Sequence, residues 1–105
     1  MAIITVTFDK HLATWANMVA LDVGEAFSDV DSMNRAVQVF GNFGISAVQI
    51  EGSNDGAEWA TLNDPQGNAL VITGAGIFQV LEATKYIRPN ALVGVVDLTV
   101  ILFRV

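Results

Sequence analysis

Cysteine is absent from the chain, which excludes a disulfide framework, a thiolate metal site and a thiol nucleophile together. Basic residues are scarce. Only Lys10, Arg35, Lys85, Arg88 and Arg104 stand against eleven acids, giving a formal net charge of −6. They are scattered, so no basic stripe exists to displace counterions from a phosphate backbone, and direct nucleic-acid binding is not expected. Histidine occurs once, as His11. A Ser-His-Asp triad would need it, yet no G-x-S-x-G elbow or comparable nucleophile accompanies it, and it reads as a turn residue beside Lys10. No apolar run approaches the roughly 18 residues of a membrane span. The opening "MAIITVTFDKHLATW" has neither a basic n-region nor an apolar stretch followed by a small-residue cleavage site. The chain is therefore expected to be made and folded in a cytoplasm, without membrane contact.

What the sequence has in quantity is apolar side chain: 52% of residues, with 15% charged. Such a composition folds rather than staying disordered. Its 105 residues make one domain, which should bury somewhat more than about 60% of its unfolded surface.

The dominant hydrophobic period is two, that of half-buried strands. In "AIITVTF" Ile4, Val6 and Phe8 share one face. "RAVQVFGNF" sets Val37 and Val39 opposite Gln38, and "ISAVQIE" sets Val48 and Ile50 opposite Gln49 and Glu51. "AGIFQVLEATKYIR" predicts a strand pair ending at Pro89, because Ile77, Phe78, Val80, Tyr86 and Ile87 are β-formers. The last segment, "VVDLTVILFRV", predicts a strand with Val96, Leu98, Val100 and Leu102 on one face. Turn residues recur at intervals of about 8 to 12, and "LDVGEAFSDVDSMN", with Asp22, Glu25, Asp29 and Asp31, reads as a solvated loop. The expected fold is all-β: a single antiparallel β-sandwich over residues 1–105, jelly-roll-like or Ig-like, with residues 1–8 as a strand or arm in subunit contacts.

The other face of the last strand carries Thr99, Ile101, Phe103 and Val105, and so is apolar where a solvated face stays polar. A strand apolar on both sides is covered on both sides. Ile101, Phe103 and Val105 are accordingly the expected subunit interface.

The segment "IEGSNDGAEWATLNDPQGNAL" holds the densest set of candidate ligands. As an EF-hand loop it would begin on Glu51 and place Leu62 where a bidentate carboxylate is required, so the motif fails. A looser calcium site from Asp55, Glu58 or Asp64 competes with simple turn chemistry. "NDG" is a hairpin signal, and "DPQG" fits a type I turn with Asp64 first, Pro65 second and Gly67 fourth, the two turns framing a short strand with Trp59. Trp59 and Trp15 are candidates for a sugar-stacking platform, against the commoner role of core or interface anchors. Paired carboxylates are available, but a sandwich this small rarely encloses a substrate cleft. No catalytic residues, metal site or cofactor are assigned. Asn54, Asp55 and Trp59 remain as candidate surface-loop contacts.

The run "RAVQVFGNFG", then "VQIEGSNDGAEWATLNDPQGNAL", "AGIFQVLEATKYIRP" and the closing "DLTV", together about residues 35 to 100, resembles small tailed-phage virion proteins, capsid decoration or cement proteins among them. That resemblance implies a non-enzymatic β-sandwich that binds the major capsid protein on the outside of an icosahedral head, often as a trimer, and braces the shell. The ending "ILFRV" departs from the short polar-alternating tail of that group. A neck, tail or fibre component is the alternative within the virion, and a carbohydrate-binding module the alternative from another class.

Overall fold

A computed structural model describes residues 5–9, 11–28 and 34–104. Ten strands lie among them: β1 (Thr5–Phe8), β2 (Leu12–Met18), β3 (Phe27–Ser28), β4 (Arg35–Asn42), β5 (Val48–Ser53), β6 (Ala60–Thr61), β7 (Val71–Ile72), β8 (Gly76–Val80), β9 (Tyr86–Ala91) and β10 (Asp97–Arg104). They form two antiparallel sheets. The first runs β1-β2-β10-β4-β8; the second runs β3-β9-β5-β6, with β7 also on β5. The expected all-β, two-sheet architecture is therefore present. Apart from the β1-β2 hairpin and the β5-β6-β7 run, each step along the chain crosses from one sheet to the other.

Alternation makes the core. From the first sheet, Ala13 and Trp15 (β2), Val37 and Val39 (β4) and Leu98, Val100 and Leu102 (β10) face inward; Phe27, Val48, Ile50, Ile87 and Ala91 meet them from the second. Phe8 stands edge-on to both Trp15 and Phe27, with ring centroids 5.5 Å and 5.2 Å apart. Between Leu98 and Val100 the register on β2 slips by one residue, and the bulge is accommodated by Asn17 in the left-handed region (φ 63°).

Several expectations need correction. The "GIFQV" and "YIRPNA" segments are strands, but they belong to different sheets and do not pair with each other. Pro89 does not end β9; it sits inside it, opposite Ile50. The neighbouring chain makes this tolerable: it is irregular between the Val23–Asn90 bridge and Phe27, so no ladder hydrogen bond is asked of the missing N–H. Val96 precedes β10 and is exposed rather than inward. The described part of the acidic loop up to Ser28 is not a simple solvated coil: it contains β3, and Asp22 Oδ2 accepts from Val19 N at 2.8 Å. Asp29, Asp31, Val105 and residues 1–4 of the proposed arm lie outside the described residues.

Candidate functional surfaces

The hairpin between β5 and β6 is held by its own side chains. Ser53 Oγ accepts from the amides of Asp55 and Gly56, and Asp55 Oδ1 accepts from Ala57 N, Glu58 N and the Ser53 hydroxyl at 2.9 Å each. These bonds, the Glu58 amide's first, hold the Asp55 carboxyl at about 2 against the usual 3.8. Gly56 takes the positive φ (79°) that the Asp-Gly signal implied. In the second turn Gly67 N donates to Asp64 O at 3.0 Å, as a type I turn from Asp64 requires. Asp64 Oδ1 accepts from Asn68 N and Gln66 N, and the Asn68 amide chiefly draws that carboxyl down as well. The Asp55 and Asp64 oxygens that suggested calcium are thus engaged in closing turns. Among the described residues no group of three or more His, Asp or Glu is placed to hold a metal.

Trp59 immediately precedes β6 rather than lying within it. The Arg88 guanidinium stacks 3.9 Å from its ring centroid, and Arg88 Nε donates to Glu51 Oε1 at 3.0 Å. Asn90 Nδ2 donates to Glu51 Oε2 at 3.2 Å. Glu51, set opposite Val48 and Ile50 by the alternation, is therefore buried beneath its partners. Asn54 Oδ1 accepts from Lys85 N at 3.0 Å. The three loop candidates are brought into one region, each already engaged with its own chain. Trp15 is not with them: it is 1% exposed, and its Nε1 donates to Glu25 O at 2.8 Å, so the paired-tryptophan platform does not form.

At the same end of the sandwich Arg35, buried on β4, donates to Thr84 O at 3.1 Å and to Glu82 O. Partial burial pushes the Glu82 carboxyl upward, but bonds from Asn63 N (2.7 Å) and Asn63 Nδ2 (2.6 Å), with the Arg35 charge, outweigh it and leave Glu82 below the usual range. This network ties the β8–β9 connection to the β6–β7 turn.

The outer face of the first sheet is different in character. Its outward positions are Leu12, Thr14 and Ala16 on β2, Asp97, Thr99, Ile101 and Phe103 on β10, Ala36, Gln38, Phe40 and Asn42 on β4, and Ile77 and Gln79 on β8. Among these only Asp97, at the far end of the face from Phe103, is ionisable. Phe103 is 52% exposed and Ile101 half-buried. A shallow depression of about 370 Å³ lies beside them, lined by Asn34, Arg35, Ala36, Ile77, Gln79 and Phe103.

A third surface was not foreseen from the sequence. The Met18–Leu98, Asn42–Asp97 and Val48–Ala91 pairs bring the loops after β2, β4 and β9 to one end of the sandwich. Their tips are apolar: Leu21 is 71% exposed, Ile45 98% and Val93 72%, with Val96 and Val23 beside them. The loops are packed together. A Cβ on Gly44 would lie 2.1 Å from Gly94 O, and Leu21 N donates to Ala91 O at 3.0 Å. Leu21 is displayed from a left-handed backbone (φ 68°), which costs energy for a side chain other than glycine. The signal available in the sequence was the set "VALDV", "FGISA" and "LVGVV", which are loops that lack the usual polar filling.

Compared with family models, with curated proteins and with solved structures, the chain matches none.

Proposed function

We propose that this chain is a structural protein of a tailed-phage particle: a decoration protein that binds the major capsid protein on the outer surface of the head and braces the shell. The observation that carries the docking is the apolar end, where Leu21, Ile45 and Val93 project from three mutually packed loops. Contiguous exposed apolar side chains mark contact surfaces. Protein is favoured over lipid as the partner, because those loops bear no Lys or Arg in a chain of net charge −6, whereas binding to anionic membranes draws on basic residues.

The resemblance of residues 35 to 100 to phage virion proteins supplies the choice of partner. Strand order adds support for the finer fold. From β2 onward, β2-β10-β4-β8 faces β3-β9-β5-β6, which is the alternation of a jelly roll rather than the Ig arrangement with its hairpin neighbours kept in one sheet. Jelly rolls recur in viral capsid domains, so this is fold-level analogy in the same direction. A non-catalytic role is supported by Glu51, Asp55, Asp64 and Glu82 being committed to their own chain's amides and side chains. Such a protein would be made in the host cytoplasm and end on the capsid surface. Many equivalent sites on one lattice let an assembled protein hold by contacts that are individually weak.

The test is binding to expanded, undecorated heads. Wild-type protein is expected to saturate them, and Ile45→Asp to lose binding with its circular dichroism and melting temperature unchanged. Undiminished binding by that variant would remove the apolar end from the account.

A further inference from the structure

We infer that a second copy of this chain pairs antiparallel with β8 about a two-fold axis at Phe78, placing Ile77 of each copy against the Phe103–Ala36–Gln79 row of the other. This deepens the self-association contained in the reading above, and it concerns the free protein, so it is tested without any capsid.

The first ground is the edge itself. β8 is an outer strand of the first sheet and pairs with β4 through five consecutive residues without a register shift. Its other side is a row of backbone donors and acceptors. Natural edges are usually blunted by charge, proline, a bulge or brevity. "GIFQV" has no charge and no proline, and Ile77 is 70% exposed. The free edge ends at Val80, because Leu81 N already donates to Asn63 O at 2.8 Å. In the second sheet, by contrast, the edge elements β3, β6 and β7 are two residues each.

The second ground is complementarity. Phe103, Ala36 and Gln79 form one cross-strand row, and Ile101, Gln38 and Ile77 form the next. Pairing about Phe78 sets Ile77 opposite the second copy's Gln79, so each isoleucine continues the other's first row, one side chain beyond Gln79 and beside the depression that Ala36, Gln79 and Phe103 help to line. A one-residue slip would break both contacts.

The third ground is charge. Two chains of net charge −6 repel, and the lowest cost of approach is where no ionisable side chain lies. β8 and the outward positions of β4 and β10 from Ala36 to Phe40 and from Thr99 to Phe103 meet that condition. An edge that pairs with itself also closes: it yields a dimer, whereas the trimer implied by the resemblance requires two different surfaces. An interface of this kind is small, roughly 1,000 Å² in total or less, so its occupancy should depend on concentration.

Sedimentation of the full chain across micromolar to millimolar concentration should show a species of about twice its 11.2 kDa. Ile77→Lys, which puts a charge on the exposed edge, should return the monomer with unchanged circular dichroism. Because the chain is free of cysteine, Ile77→Cys mixed with Gln79→Cys should form an intermolecular disulfide on mild oxidation, and Thr14→Cys mixed with Gln79→Cys should not. A monomer throughout the range would overturn the inference. So would a dimer or trimer that survives Ile77→Lys, or cross-linking that does not discriminate between the pairs.

Discussion

Gly24 shows how much of this fold turns on single side chains. A Cβ there would lie 2.7 Å from Pro89 Cδ and 2.8 Å from Trp15 Cδ1, while its amide donates to Pro89 O at 2.8 Å. Gly24→Ala should therefore destabilise the protein by about 1–3 kcal/mol, the usual cost of overpacking a tight interior, as read from urea unfolding. Asp55 makes a different prediction. Its folded pKa, about 2, lies below the usual 3.8, so its contribution to stability is present at neutral pH, declines as the pH falls below about 3.8 and is lost below about 2. Asp55→Asn should flatten that part of the acid limb in a series of unfolding curves, leaving the slopes due to Asp64 and Glu82. The turns around these acids were legible because Asp, Asn, Pro and Gly act locally. The roles of the two tryptophans were not. Trp15 becomes core, and Trp59 a stacking partner of Arg88, through strand neighbours far away in sequence.

At the scale of elements, alternation located β1, β4, β5 and β10, because period two survives whatever a strand pairs with. It was silent on pairing. β8 and β9 read as a pair from their closeness in the chain, yet each finds its partner elsewhere, on β4 and β5. Pro89 read as a stop, because the gap opposite it is made by Gly24 and its neighbours on another element. β2 contains the fold's one register slip against β10 among the described residues, and there Asn17 adopts φ 63°. A β-branched residue is penalised in that region, so Asn17→Val should lower the unfolding free energy by about 1–2 kcal/mol, whereas Asn17→Gly should be tolerated; thermal melts of the two variants give the comparison.

Across the whole molecule, polarity is distributed by region. Turn-closing carboxylates, the Arg35–Glu82 network and the Trp59–Arg88–Glu51 stack occupy one end and the outer face of the second sheet. The outward positions of β2, β10, β4 and β8 are uncharged apart from Asp97, and the opposite end carries Leu21, Ile45 and Val93. The sequence announced an apolar excess only on the last strand, because that strand has a period to violate. Loops have none, so their exposed apolar tips became visible only when three of them met. On this account the neutral face is for the chain's own kind and the apolar end is for the shell. Imaging expanded heads saturated with the protein tests that claim most directly. Ordered density repeated across the capsid lattice, with the Leu21, Ile45 and Val93 end against the shell, is the predicted result. Density confined to one vertex or the tail, an outward-facing apolar end, or no added density at saturation would contradict it.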